Sequence, residues 1–279
     1  MIKQLPLNFN EYKIFNKDYN IHFEIDSNLS LHPGDFIRLF GNNGTGKTAF
    51  FKALAFYNID DKPTHHKFSY LFRPSLVINK IKNDLFDAEA YNFYIPQNYE
   101  DFIFQGRTIR HFLLNYFDCK KVVPGKDIET IVKNFFNEES VTISRSLAIR
   151  DKNGKPIQTN NFSDLLDCKM EMLSGGQKRL LYIIREFLSL KFTEVTGYRI
   201  LMMDEPFNDI DLSNIDFLKR LINEVRSQFP DLIILISTHL QIMDSINRVF
   251  ELIKGQRSVK ISEITEDNKR VELSRNRYI

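Results

Sequence analysis

The segment Phe36-Ile-Arg-Leu-Phe-Gly-Asn-Asn-Gly-Thr-Gly-Lys47-Thr48 decides the fold of this chain of 279 residues. Its first five residues are mostly apolar and predict a short buried strand. A glycine-rich segment follows directly, and residues 48–57 favour a helix packed on the sheet. Two glycines separated by four residues and followed by lysine and threonine are typical of a phosphate-binding loop, provided that the loop joins a strand to a helix.

The residue types of this loop suit the binding of a triphosphate. Glycines allow the backbone to fold tightly, so that several N–H groups converge on phosphate oxygens. The helix N-terminus adds partial positive charge, Lys47 would neutralise the β and γ phosphates, and the Thr48 hydroxyl would hold Mg²⁺. A glycine turn that binds nothing is the alternative, and the strand–helix context argues against it. The candidate ATP-binding residues of the loop are Gly41, Asn42, Asn43, Gly44, Thr45, Gly46, Lys47, Thr48 and Ala49.

A second motif, at residues 199–205, is an apolar strand that ends in Asp204 and Glu205. Ligands bind at the C-terminal edge of the strands in open α/β sheets. Asp204 can therefore reach Mg²⁺ through water, and Glu205 can act as general base for the water that attacks the γ-phosphorus. A solvated strand end is the ordinary interpretation of such a pair, but the phosphate-binding loop upstream favours the functional one.

The third motif is Leu173-Ser-Gly-Gly-Gln177, followed by an apolar run that begins at Leu180. Its glycines, its hydroxyl and the helix after it predict a second helix N-terminus suited to an anion. Two such helix starts in one chain are unusual unless the second serves a nucleotide held by another copy. A loop without a ligand is the alternative, and the other motifs disfavour it. The candidate residues are Ser174, Gly175, Gly176 and Gln177.

Predicted strands and helices alternate around these motifs. Strands are predicted at residues 19–25, 36–40, 91–95, 200–203, 232–237 and 249–253, and helices at 48–57 and 214–228. Residues 108–172 differ in character, because apolar residues recur there at helical spacing over 108–117 and 127–137. The alternation indicates an α/β fold with a mostly parallel sheet covered on both faces.

The three motifs, together with Gln97 and His239, resemble the nucleotide-binding domain of the ATP-binding cassette family over residues 19–255. The resemblance implies a P-loop NTPase core with an N-terminal antiparallel β element and an inserted α-helical subdomain. We expect a single domain over residues 1–279. Its ATPase core is predicted at residues 1–107 and 173–279, and its helical subdomain at residues 108–172.

The resemblance also implies roles for single residues. Ser174 and Gly176 would contact the γ-phosphate bound by a partner cassette, and residues 208–211 would form the D-loop. Gln97 would contact Mg²⁺ and water and sense a transmembrane partner, and His239 would be the switch histidine. Taken alone, each of these two residues is more often an ordinary surface residue. The predicted catalytic residues are thus Glu205, His239 and Gln97, and the predicted Mg²⁺ contacts are Thr48, Gln97 and Asp204.

Adenine recognition and the transporter subclass stay open at the level of sequence. Tyr19 lies about where the family places its stacking aromatic, Phe15 is the alternative, and either residue could belong to the core. Residues 178–185 are bulkier than the run common in transporter subunits, and Asn208-Asp209 replaces the common Ser-Ala. These departures leave the ATP chemistry intact but weaken the assignment to a transporter subclass.

Composition restricts the cell compartment and the partners. The formal net charge is +2, so no large basic field favours nucleic acid. The two cysteines lack metal or redox spacing and indicate free thiols in a reducing cytosol. No apolar stretch approaches the ~20 residues that cross a bilayer. We therefore expect a cytoplasmic protein without a transmembrane segment of its own, attached peripherally to the inner face of the cell membrane.

The leading hypothesis is a dimeric ATPase that powers a separate membrane permease for an unknown substrate. The dimer would be a homodimer or a heterodimer with another cassette. Residues 95–101 resemble the transporter form of this region, and residues 98–106 would face the permease. The alternative is a soluble cassette ATPase with a DNA-related or defence-system partner, although the long coiled coil of many DNA-acting members is absent. A cassette that only binds ATP is disfavoured, because no predicted catalytic residue is missing.

Overall fold

The computed structural model describes residues 5–10, 13–16, 20–55, 85–97, 108–118, 166–192, 196–238, 245–256 and 258–264. The strands in these segments are β1 (Leu7–Asn8), β2 (Lys13–Asn16), β3 (Ile21–Ile25), β4 (Ser30–Leu31), β5 (Phe36–Phe40), β6 (Ala90–Ile95), β7 (Tyr198–Asp204), β8 (Ile233–Ser237), β9 (Arg248–Lys254) and β10 (Ser258–Glu263). The helices are α1 (Lys47–Ala55), α2 (Ile109–Asp118), α3 (Gly175–Phe192) and α4 (Leu212–Gln228).

Eight of these strands form one sheet in the order β2-β3-β10-β9-β5-β8-β7-β6. Strand β5 is parallel to both of its neighbours, β8 and β9, and β7 is parallel to β8 and β6. Five adjacent strands therefore run in one direction and end at the same edge of the sheet. Strand β10 is antiparallel to β9 and parallel to β3. The predicted mostly parallel sheet is confirmed.

The antiparallel pairs lie in the N-terminal part of the chain and at β9–β10. Strand β1 pairs with β4, with Leu7 opposite Leu31, and β2 pairs antiparallel with β3. A turn then leads into β5, in which Gly34 has a φ of +84° and the His32 amide donates to Asp35 Oδ2 at 2.8 Å. The antiparallel β element predicted near the N-terminus is therefore present.

The sheet separates two apolar cores, because successive side chains of a strand point to opposite faces. Along β5, Phe36 belongs to one core, whereas Ile37 and Leu39 belong to the other. Buried residues of α3 and α4 join the first core, and buried residues of α1 join the second. Each fully buried large side chain contributes about 1.5–3 kcal/mol. Helices on both faces are what a parallel sheet requires.

The two described ends of the predicted helical subdomain meet. Thr108 forms an antiparallel bridge with Lys169, and the Ile109 amide donates to the Cys168 carbonyl at 2.9 Å. Such contacts are expected at the base of an insertion. The second helix predicted there, at residues 127–137, lies outside the described residues, so the domain division remains a prediction.

Element boundaries differ from the sequence predictions where capping or distant contacts decide them. Helix α3 begins at Gly175, five residues before the apolar run at Leu180. Strand β10 was not predicted, and it extends the sheet beyond residue 255, where the family resemblance ended. The tail at residues 267–279 lies outside the described residues. Within the part of the chain that the structure describes, no helix is long and apolar enough to cross a membrane.

Candidate nucleotide-binding site

Three parallel strands lead to predicted site residues at one edge of the sheet. Strand β5 leads directly into Gly41, β7 ends at Asp204, and Gln97 follows the end of β6 by two residues. Strand register brings the ends of β5 and β7 close together, because Leu39 and Asp204 both pair with Ser237 of β8. The phosphate-binding loop, the two carboxylates and the end of β8 are therefore neighbours.

The phosphate-binding loop is a compact turn stabilised by its own atoms. Gly44 and Gly46 have φ angles of +76° and +100°, a region that favours glycine. Thr45 Oγ1 donates to a carbonyl three residues earlier at 2.8 Å, and Lys47 Nζ donates to the Gly41 carbonyl at 2.7 Å. Residues 42–44 are exposed, and Ala49 is buried in α1. The loop thus places the Lys47 ammonium at the N-terminus of a helix, where an anion is favoured.

The electrostatic surroundings of Lys47 favour a bound anion. Burial lowers the Lys47 pKa from its ordinary value of 10.5, while the Glu205 and Asp204 carboxylates raise it and Arg38 lowers it. The net lowering indicates that the two carboxylates do not fully compensate for the desolvation of this cation. A phosphate group beside Lys47 would supply the missing negative charge.

Asp204 is a buried carboxylate with one oxygen engaged and one available. The residue is 1% exposed, and its Oδ1 accepts a hydrogen bond from Ser237 Oγ at 2.7 Å. No hydrogen-bond donor reaches its Oδ2, which is also buried, among the described residues. A buried carboxylate oxygen without a donor is costly and calls for a cation or water.

This oxygen fits a Mg²⁺ ion. Mg²⁺ takes oxygen ligands, keeps several waters, and is usually bound through one or two protein groups and the substrate phosphates. Thr48, half-buried in the first turn of α1, supplies a hydroxyl at the same edge of the sheet as Asp204. In the described segments, no group of three or more His, Cys, Asp or Glu could hold a metal ion. The Asp204 oxygen and the Thr48 hydroxyl fit a Mg²⁺ ion that substrate phosphates also bind.

Glu205 has an unusual backbone held by its neighbours. Its φ is +47°, a conformation that costs a non-glycine residue about 1–2 kcal/mol. Its amide donates to both the carbonyl and the Oγ of Ser237, at 3.1 and 2.9 Å. Ser237 therefore contacts Asp204 and Glu205 together. Sequence reasoning missed this serine, whose only signal is its position as the last residue of an apolar strand.

The start of α3 carries the third motif in a reciprocal cap. The Ser174 amide donates to Gln177 Oε1 at 2.8 Å, and the Gln177 amide donates to Ser174 Oγ at 3.3 Å. A serine and a glutamine three residues apart satisfy two backbone donors in this way. The cap explains why α3 begins before its apolar run. Ser174 and Gly175 are exposed, so they lie at the surface of this chain.

Gly176 packs against the loop that follows β7. A Cβ atom at this position would lie 2.4 Å from the Asp209 carbonyl oxygen, a distance that no side chain can occupy. Asp209 itself has a φ of +61°, and Asp211 follows as the N-cap residue of α4. The glycine is thus required by a contact within the chain, in addition to any contact with a nucleotide.

Four of the residues considered for the site have less structural description. Tyr19 and His239 lie outside the described residues. Phe15 lies in β2, where it is the Cα partner of His22. Gln97 is exposed, and its carbonyl accepts a hydrogen bond at 2.6 Å from Arg179 of α3. The roles of all the predicted site residues remain proposals.

Sequence comparison finds ATP-binding proteins of transporters. The chain is 24% identical over 228 residues to the pyoverdine export ATP-binding/permease protein PvdT of Pseudomonas entomophila, covering 82% of this chain and 29% of that protein. It is 22% identical over 205 residues to the lipoprotein-releasing system ATP-binding protein LolD of Ehrlichia ruminantium, covering 71% of this chain and 72% of that protein. The chain thus spans 29–32% of the length of the ATP-binding/permease relatives that it matches. No family model matches the chain.

Solved structures share the fold. A nucleotide-free ATP-binding cassette from an ABC transporter matches with a TM-score of 0.53 and 18% identity, covering 97% of this chain and 96% of that one. The archaeal ribosome recycling factor aABCE1 matches with a TM-score of 0.59 and 19% identity, covering 98% of this chain and 43% of that one. The chain therefore has the fold of an ABC ATPase cassette, and its sequence relatives are ATP-binding subunits of ABC transporters. The resemblance inferred from the motifs is confirmed.

Proposed function

We propose that the chain binds ATP with Mg²⁺ where β5, β7 and β8 end, and hydrolyses it together with a second cassette. One observation carries the proposal: the buried Asp204 oxygen that has no donor among the described residues adjoins Glu205, beside a phosphate-binding loop. A structural carboxylate would be paired within the protein. An oxygen held ready at this edge suits a metal that accompanies a triphosphate.

Nucleotide binding would be divided among three groups of this edge. The backbone amides of the loop and the Lys47 ammonium would bind the β and γ phosphates. Thr48 and Asp204 would hold Mg²⁺, which when bound neutralises phosphate charge. Tyr19 or Phe15 would stack on the adenine. Burial lowers the Lys47 pKa. The negative charge of the phosphates would raise this pKa again and so stabilise the protonated form of Lys47.

Hydrolysis would use Glu205 as the general base. Its carboxylate takes a proton from a water molecule, whose oxygen forms a bond to the γ-phosphorus. The bond from the γ-phosphorus to the β–γ bridging oxygen breaks, and ADP leaves with that electron pair. Gln97 would contact the metal and the water, and His239 would contact the γ-phosphate. The fixed backbone of Glu205 lowers the cost of orienting the base.

A second cassette would complete each site. Its Ser174 and Gly176 would approach the γ-phosphate held by this chain, and Gly175 and Gln177 would shape the same helix start. Because this chain carries both the loop and the third motif, two copies could form two equal sites. A heterodimer with another cassette would follow the same geometry. ATP would hold the two surfaces together, and hydrolysis would release them.

The dimer would power a separate membrane permease from the inner face of the cell membrane. PvdT is a pyoverdine export ATP-binding/permease protein and LolD is the ATP-binding protein of a lipoprotein-releasing system, and both support transport over a soluble DNA-related or defence role. Residues 98–106, which follow Gln97, would face the permease. No nucleic acid is expected as a partner. A polytopic membrane protein that copurifies with the chain from detergent-solubilised membranes would support this part of the proposal, whereas a soluble or DNA partner would contradict it.

The test of the chemistry compares two substitutions in the purified protein. E205Q keeps the size of the side chain and removes the base, so we expect turnover to fall about 100-fold or more. ATP binding to E205Q, measured by equilibrium titration, should stay close to wild type. K47A should instead weaken ATP binding itself. An unchanged hydrolysis rate in E205Q would refute the role of Glu205 as general base. An unchanged ATP affinity in K47A would refute the assignment of the phosphate-binding loop.

A further inference from the structure

Arg179 is a buried arginine of α3 whose guanidinium joins the predicted catalytic segments. It is 1% exposed. Its Nη1 donates to the Gln97 carbonyl at 2.6 Å, and its Nε donates to the Pro206 carbonyl at 3.2 Å. Its Nη2 donates to the Asp204 carbonyl at 3.2 Å and to the Glu205 carbonyl. One side chain thus serves four backbone carbonyls.

The arrangement depends on the shape of the arginine side chain. A guanidinium has five N–H donors in a rigid plane and remains charged at all relevant pH values. A lysine ammonium is a point charge and cannot reproduce this fork. The carbonyls of Asp204, Glu205 and Pro206 are consecutive, so the guanidinium binds three successive residues. The central one, Glu205, has a φ of +47°. The planar guanidinium of Arg179 therefore stabilises this segment in its unfavourable backbone conformation.

We propose that Arg179 is a positioning residue for ATP hydrolysis, which fixes the backbone of Glu205 and thereby the direction of its carboxylate. The same side chain ties Glu205 to Gln97 and to the helix that begins with the third motif. This inference rests on the proposed ATP hydrolysis. Arg179 touches the backbone of the base, so it acts through Glu205.

Arg185 provides a matched control on the same helix. It is also a buried arginine, 6% exposed, and its Nη2 donates to Glu186 Oε1 at 3.0 Å. Its guanidinium lies 4.5 Å from the ring centroids of Phe112 and Tyr182. R179M and R185M therefore each remove one buried guanidinium from α3. R179M removes donors from the carbonyls around Glu205, whereas R185M removes a guanidinium that contacts Glu186, Phe112 and Tyr182.

The first experiment measures kcat, the equilibrium Kd for ATP, and thermal unfolding for both variants. R179M should lower kcat about 100-fold, because small misplacements of a catalytic group have effects of this size. Its Kd for ATP should stay within about 3-fold of wild type, since the phosphate loop is untouched. R185M should unfold at a lower temperature and keep its kcat per folded molecule within about 3-fold. Wild-type kcat in R179M, or equal losses of kcat in both variants, would overturn the proposal.

The second experiment asks whether Arg179 acts through Glu205. In single-turnover assays, R179M should lower the rate of the E205Q protein by less than about 3-fold, because the base is already gone. A full additional loss of about 100-fold would overturn the proposal. If R179M does not fold, R179K replaces it, with an expected loss of about 10-fold in kcat at unchanged Kd. A wild-type protein without ATPase activity would defeat the proposed function, whereas an active wild type with an equally active R179K would defeat only this inference.

Discussion

Ser237 shows how much of a site can depend on a single hydroxyl group. Its Oγ donates to Asp204 Oδ1 and accepts from the Glu205 amide, so one side chain holds both predicted acidic residues. By engaging Oδ1, it leaves Oδ2 of Asp204 as the oxygen available for a cation. Groups that orient a metal ligand commonly affect metal affinity by about 10–100-fold.

We therefore predict that S237A raises the Mg²⁺ concentration needed for half-maximal ATPase activity by about 10-fold. The loss of the hydroxyl leaves Asp204 free to turn and removes one acceptor from the Glu205 amide. A Mg²⁺ titration of the steady-state rate at saturating ATP measures the effect. S227A is the control, because Ser227 Oγ bonds only locally, to the Glu224 carbonyl at 2.7 Å near the end of α4. Identical Mg²⁺ dependence in S237A and S227A would contradict the prediction.

At the scale of elements, α3 combines local capping with a contact to another part of the chain. Its first turn is capped by Ser174 and Gln177, and Gly176 in that turn rests against the Asp209 carbonyl. Further along, Arg179 reaches the segments after β6 and β7. The helix thus connects the third motif to the loops around the predicted catalytic carboxylates.

The predicted effect of G176A separates the contact within the chain from a contact with a partner's nucleotide. Alanine favours a helix over glycine by about 1 kcal/mol. The added Cβ, however, would stand 2.4 Å from a backbone oxygen that cannot rotate away, and such overpacking costs about 1–3 kcal/mol. We expect a net loss of stability in nucleotide-free, dilute protein, measured by denaturant unfolding.

K178A on the same turn is the control, with an expected change within about 0.5 kcal/mol. If G176A unfolds like the wild type under these conditions, the glycine is not required by the Asp209 contact.

At the scale of the whole molecule, the parallel strands place the phosphate loop and the carboxylates at one edge, and α3 presents the third motif as a separate helix start. Under the proposed function, a chain would supply one half of each of two sites. A closed twofold dimer of identical chains would form both sites from the same pair of surfaces. This arrangement has a consequence for mixtures of defective chains.

We predict that K47A and S174R proteins, each nearly inactive, regain activity when mixed. A mixed dimer has one site with both defects and one site with neither, since the intact loop of one chain meets the intact third motif of the other. Equal mixing makes about half of the dimers mixed, so about a quarter of the wild-type rate should return. The recovery is measured by comparing the steady-state ATPase rate of the mixture with the rate of each protein alone. A mixture no more active than its components would refute shared sites between copies.

The sequence by itself determined the features that depend on neighbouring residues. The phosphate loop, the carboxylates at the end of an apolar strand and the parallel α/β alternation were all predictable, because turn chemistry and side-chain periodicity act over a few positions. The helical subdomain division and the roles of all the predicted site residues, Tyr19 and His239 among them, remain predictions.

Only the tertiary structure decided the contacts between distant segments. Arg179 lies 82 residues from Gln97 and Ser237 lies 33 residues from Asp204, and no local pattern indicates that either pair meets. The pairing of β10 with β3 and β9 and the approach of Gly176 to Asp209 are of the same kind. The physical reason is that a hydrogen-bond partner or a close backbone approach depends on how the whole sheet and its helices pack, which residue type and spacing alone do not specify.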